Sequence, residues 1–286
     1  MNRRTAMAST AMTVAGLVLA APNVMSSPRG IEARLKELEA RSGGRLGVAV
    51  LRGATGQIEG NRIDERFAMC STFKALAVAL VLARVDRGEE RLDRRIVFNE
   101  HDLVTPFKAT QPHVGREGMS IEALCEAAIA VSDSTAANLL LTSFGGPPAL
   151  TAYLRSLGDR VTRVDRSELA LNIVKPGEMH DTTTPRAMVE TLRRLLLGDA
   201  LSDGSRAKLT NWMVEARDAA TQRLRVGLPP GWRIANKPGT WAGISTNDVG
   251  VIWPPDRDPI VVAAYLANAP GPVHAQEAVW PMSPEL

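Results

Sequence analysis

The apolar positions of this chain change period twice, and those changes outline its elements. In residues 30–41, GIEARLKELEAR, the residues Ile31, Leu35 and Leu38 form one stripe among charges. That spacing predicts an amphipathic surface helix. GRLGVAVLRGATG follows, with Val48 and Val50 around a small residue and a turn at Gly53 to Gly56. It reads as a strand that turns into a second one through Ile58. An almost wholly apolar helix is predicted over 71–85, and Lys74 stands in its first turn, three residues after Ser71.

The helical period fills the middle of the chain. SIEALCEAAIAV (120–131) opens with a Ser120–Ala123 start, and TAANLLLTSF (135–144) stops at Gly145-Gly146-Pro147. PALTAYLRSLG (148–158), TPRAMVETLRRLLLG (184–198) and SDGSRAKLTNWMVEA (202–216) are further helices. Residues 160–183 keep no clean period, and a stretch of that kind in a compact chain marks a functional loop. Strand character returns in WRIANK (232–237), STNDVGVIWP (245–254) and PIVVAAYLAN (259–268).

Strands at both ends must pair to hide their edges. The expectation is a two-lobed α+β fold, an α/β sandwich. Both chain ends build one antiparallel sheet with flanking helices, and an all-helical lobe is inserted. The α/β lobe would take about 27–66 and 217–286, and the helical lobe about 67–216. The site would lie in the cleft between them.

Composition changes this picture little. The 286 residues are 45% hydrophobic and 23% charged, ordinary for a soluble globular protein. The net charge is +3 without a dominant Lys/Arg block, which argues against nucleic acid as a partner. Arg3 and Arg4 precede an uncharged apolar stretch from Ala6 to Ala21. Residues 1–26 therefore read as a secretory signal peptide, with small-residue cleavage patterns at Val18/Ala20 and Val24/Ser26. The stretch is short of the ~20 residues a spanning helix needs. The mature part, 27–286, is expected to be exported to the periplasm or beyond, without stable membrane association. The paired arginines permit a twin-arginine route. His101, His113, His180 and His274 are scattered without ligand spacing, so no metal or cofactor is implied.

Ser71 and Lys74 raise the first chemical question. A serine at a helix N-terminus becomes a nucleophile if a neighbour takes its proton, and a desolvated lysine can do that. A capping serine with a lysine reaching to solvent is the simpler account of this stretch alone. Three later segments bear on the choice. VSDSTAANLLL breaks a helical run at Ser132-Asp133-Ser134 and restarts it. RVDRSELALN holds Glu168 and Asn172, and NKPGTWAG follows a strand with what reads locally as a Pro-Gly turn.

In this order the segments resemble the class A serine β-lactamases, whose set is S-x-x-K, S-D-N and K-T-G with an essential glutamate. Here they are Ser71-Thr72-Phe73-Lys74, Ser132-Asp133-Ser134, Glu168 and Lys237-Pro238-Gly239. Flanking runs such as VTRVDRSE, HDTTTP and TNDVGVIWPPDR also look like family sequence, and the likeness spans about residues 30 to 270. The resemblance implies that Ser71 attacks the lactam carbonyl and that Lys74 accepts or relays its proton. Ser132 would pass a proton to the departing nitrogen. Glu168, with Asn172, would activate the water that frees the enzyme. Lys237, Thr240 and Arg223 would hold the substrate carboxylate side, and Ser134 would line the substrate. Backbone N–H groups of Ser71 and Thr240 would form the oxyanion hole. Arg166 and Asp181 would clamp the loop of Glu168. The partner implied is a small β-lactam, met by a monomer that confers resistance.

The chain departs from that pattern. Ser134 stands for the usual asparagine, and its shorter hydroxyl makes fewer contacts. Pro238 stands for a hydroxyl residue and lacks a backbone N–H, which an edge strand tolerates. Weaker substrate binding is expected more than lost chemistry, with Thr240 and Arg223 compensating in part. The family's disulfide mates for Cys70 and Cys125 are replaced by Trp241 and Val78, so two free thiols are expected. Pro281 and Pro284 argue against the family's long terminal helix. Two other readings stay open on sequence. One is a D-Ala-D-Ala peptidase of the penicillin-binding type, which would not need Glu168 and Asn172. The other is a weakly active or non-turnover β-lactam binder.

Overall fold

The structure is a computed structural model. It describes residues 28–276 apart from 54, 116, 219, 221, 242, 274 and 275. The expected leader, residues 1–26, and the prolines at 281 and 284 lie outside the described residues.

Helix α1 (Pro28–Ser42) puts Ile31, Leu35 and Leu38 against the sheet, as its stripe requires. Strands β1 (Arg45–Arg52), β2 (Ile58–Asn61), β7 (Arg233–Trp241), β8 (Ser245–Trp253) and β9 (Ile260–Ala267) form one sheet in the order β2-β1-β9-β8-β7. Every neighbouring pair is antiparallel. The two ends of the chain meet where β1 pairs with β9, Val48 opposite Ala264 and Val50 opposite Val262. Val48 and Val50 face α1, while Ala49 and Leu51 join the core on the other side. Both faces are covered, so these strands are apolar nearly throughout.

Helix α2 (Phe73–Asp86) is the axis of the helical part and is buried from Phe73 to Ala83. Around it stand α3 (Ile121–Ala130), α4 (Ser134–Ser143), α5 (Gly146–Ser156) and α7 (Asp203–Val214). The start signals are real caps. Ser120 accepts from the Ala123 N–H, and Asp133 accepts from that of Ala136. Short pairings tie the chain down elsewhere: β3 (Phe67–Ala68) with β6 (Thr182–Thr183), and β4 (Arg95–Ile96) with β5 (Met119–Ser120). No helix among the described residues is long and apolar enough to cross a membrane. Cys70 and Cys125 are both free and buried.

Three details differ from the sequence expectation. Residues Cys70–Thr72 form a 3₁₀ turn, so α2 proper starts at Phe73 rather than at 71. Tight 3₁₀ turns commonly lead into α-helices. Helix α6 (Pro185–Leu196) packs on β1, β8 and β9, so an all-helical insert of 67–216 is drawn too wide. Its strongly one-sided apolar face, from Met188 and Val189 to Leu192, Leu195 and Leu196, is what the sheet accepts. Finally, β7 continues to Trp241, so Lys237, Pro238 and Gly239 lie within a strand and not at its end. β7 is an edge strand, bonded to β8 alone, which is where a sheet accepts proline.

Candidate active site

The turn that carries Ser71 is held from beneath and from the side. Thr72 closes it with its N–H and hydroxyl on the Met69 carbonyl, at 3.3 and 2.8 Å. Asn247 of β8 donates to the Ala68 and Met69 carbonyls at 2.9 and 3.2 Å. Strand β7 passes close beside it. A Cβ on Gly239 would come within 2.8 Å of the Met69 carbonyl oxygen and 3.1 Å of the Ser71 nitrogen. Only glycine permits that approach. Cys70 has φ +47° and is buried, and burial pushes its thiol up to about 12. It stays protonated beside Ser71.

Ser132 is presented by the break between α3 and α4, where its φ is +57°. Its hydroxyl lies between two lysines that are both 0% exposed. The Lys237 ammonium donates to it at 3.0 Å and to the Pro238 carbonyl at 3.1 Å. The Lys74 ammonium donates to the Ser132 carbonyl at 2.8 Å, with the Ser132 and Ser134 hydroxyls at 3.4 and 3.3 Å. It also faces Glu168 Oε1 at 3.1 Å. Burial, and then the charge of Lys74, lowers Lys237 to about 7.

Glu168 closes the group. Ser71 Oγ donates to its Oε1 at 3.3 Å, and Asn172 Nδ2 to its Oε2 at 2.7 Å. Asn172 Oδ1 is buried without a partner. The peptide at Glu168 is gripped on both sides by Asn138, whose amide donates to the Glu168 carbonyl at 3.0 Å and accepts from its N–H at 2.9 Å. The neck of the loop is tied by Arg166 Nε on Asp181 at 2.5 Å. The other Asp181 oxygen accepts the Asp165 and Arg166 N–H groups.

Arg223 sits in the one-turn helix α8 (Gln222–Arg225) and is almost fully buried. Its Nη1 donates to the Gly239 and Asn247 carbonyls at 3.1 and 3.0 Å, and its Nη2 to Thr240 Oγ1 at 2.8 Å. Hydrogen bonds and the Lys74–Glu168 ion pair therefore join Ser71, Lys74, Ser132, Ser134, Glu168, Asn172 and Lys237 into one cluster. Thr240 and Arg223 adjoin it through Gly239. Sequence reasoning missed Asn138, Asn247 and Asp248. Asn138 was an isolated polar residue in an apolar run, which is a signal in itself, whereas Asn247 and Asp248 close the polar run Ser245-Thr246-Asn247-Asp248 and carried no such signal.

A serine beside an anchored carboxylate, and a second serine hydroxyl between two buried lysines, are the groups that serine hydrolases of the acyl-enzyme kind employ. The sequence model of the Beta-lactamase enzyme family matches residues 30–280. A beta-lactamase of Streptomyces lavendulae is 43% identical over 268 residues, covering 91% of this chain and 87% of that protein. Beta-lactamase OXY-2 of Klebsiella oxytoca is 42% identical over 252 residues, covering 88% and 86%. The solved structure of an ancestral (GNCA) class A beta-lactamase matches with TM-score 0.85 and 58% identity, over 87% of this chain and 95% of that one. The chain belongs to the beta-lactamase enzyme family, among its class A serine enzymes.

Proposed function

We propose that the protein opens the β-lactam ring of penicillin- and cephalosporin-type antibiotics, and so confers resistance, through an ester on Ser71. The Ser71 oxygen attacks the lactam carbonyl carbon, and its proton passes to Glu168, its hydrogen-bond acceptor, or to Lys74 once Lys74 has given a proton to Glu168 across their ion pair. The N–H groups of Ser71 and Thr240 receive the oxyanion; losing such a donor costs ~10²–10³ in rate. The C–N bond then breaks, and the nitrogen takes a proton from Ser132, which Lys74 and Lys237 resupply. Water, held between Glu168 and Asn172, loses a proton to Glu168 and attacks the ester carbonyl; the bond from that carbon to the Ser71 oxygen then breaks, and Glu168 returns the proton to Ser71. Arg223, Thr240 and Lys237 draw the substrate carboxylate. The protein acts after export to the periplasm or beyond, as a monomer, with residues 1–26 removed.

The observation that carries this reading is Glu168. It lies 3.3 Å from the nucleophile, and Asn172 beside it keeps one buried acceptor free. A peptidase that merely stays acylated has no use for that arrangement. Purified protein mixed with a chromogenic cephalosporin should turn over many equivalents, while intact mass shows mostly free enzyme. A stable adduct on Ser71 without turnover would favour the penicillin-binding alternatives.

A further inference from the structure

Near Arg223, behind strand residues Gly239 and Thr240, lies a buried carboxylate that the chemistry above does not use. Asp248, on β8 opposite Pro238, is 0% exposed. It accepts the Leu224 N–H at 3.1 Å and both of its oxygens accept Asn236 Nδ2, at 3.0 and 2.9 Å. Asn236, also fully buried, in turn accepts Arg225 Nε at 2.8 Å. Gly250 makes room for this. A Cβ there would meet the Asn236 Cα and Cβ at 2.8 and 2.9 Å. Among the described residues no cation lies at ion-pair distance from Asp248. Burial pushes its carboxyl up to about 7, against the pull of Arg223 and Lys237. A buried charge without an ion-pair partner is expensive, and an apolar residue would fill a strand interior better. Something must retain it.

Its contacts name the beneficiary. Leu224 and Arg225, the two residues after Arg223, are both fastened to the Asp248–Asn236 pair, and Asp248 bears the charge opposite to the two cations flanking β7. We propose that Asp248, through Asn236, is the positioning residue of the carboxylate subsite: it fixes the turn that carries Arg223 against β7 and β8. This rests on the reading of Arg223 as a carboxylate ligand. The pair acts on substrate binding and leaves the bond-breaking steps to the cluster around Ser71.

The test compares benzylpenicillin with its methyl ester, which lacks the carboxylate charge. Asp248→Asn should raise KM for the acid about tenfold with kcat within about twofold, and leave the ester's kcat/KM within about twofold. The double variant D248N/N236D exchanges donor and acceptor and should restore most of the acid's KM. If D248N does not fold, Asn236→Ala keeps the carboxylate and should show the same split at about threefold. Equal effects on acid and ester, or none, would overturn the proposal. Arg223→Ala is the control for the reading beneath it. If R223A splits acid from ester and D248N and N236A do not, this inference alone fails. If R223A makes no split, the carboxylate role of Arg223 fails first.

Discussion

The mouth of α2 and the edge of β7 each place a fully buried lysine against the same hydroxyl, yet they build different chemistry. Lys74 reaches Ser132 Oγ at 3.4 Å and has Glu168 at 3.1 Å to balance its charge. Lys237 reaches the same oxygen at 3.0 Å, and among the described residues its other hydrogen bond goes to the Pro238 carbonyl. No carboxylate among the described residues lies at ion-pair distance, and burial, then the charge of Lys74, pulls Lys237 down to about 7. Burial alone therefore does not decide what a lysine does; its company does. Lys74 stands in an ion pair with Glu168, beside Ser71. In the role proposed for it, Lys237 would take its counter-charge from an arriving substrate carboxylate.

The sharpest way to break this contrast is pH. The groups that act on Lys237 are Lys74, Asp218, Asp248 and Glu168. Its value in the folded protein lies below the ordinary lysine value, so the cation is present below about 7 and is lost as pH rises past it. The kcat/KM of an anionic β-lactam, which reports the free enzyme, should fall about tenfold from pH ~7 to pH ~8.5. Lys237→Arg keeps its charge throughout and should remove that limb. An unchanged limb in K237R would assign it to another group.

Smaller effects concern the two departures at the same hydroxyl cluster. Pro238→Thr restores a hydroxyl on the edge strand, and a hydrogen bond to a charged group should lower KM about fivefold to tenfold. Ser134→Asn adds an amide where the hydroxyl now meets Lys74, and should lower KM only about threefold. Steady-state kinetics on one penicillin checks both. A fall in kcat with either would show that these positions serve the Lys74 relay more than binding.

Periodicity made most helices legible, since each buries one stripe. The four spaced motifs gave the catalytic cluster. The rest depended on distant neighbours. Pro238-Gly239 looks like a turn until β7 is known to be an edge whose glycine must clear the Ser71 turn. Nothing local to residues 185–196 says which surface α6 covers. Asn138 in TAANLLL was visible as a polar residue in an apolar run, while Asp248 ended the polar run STND; the partners of both, Glu168 and Asn236, come from other elements.

The central claim is that Glu168 separates an enzyme that turns over from one that stays acylated. Glu168→Ala, mixed with benzylpenicillin and followed by intact mass, tests it most directly. The account predicts one substrate mass accumulating on Ser71 and persisting, while the unaltered protein returns to its free mass and turnover in the variant falls at least about 10³-fold. Turnover in the variant near that of the unaltered protein, with no trapped ester, would contradict it.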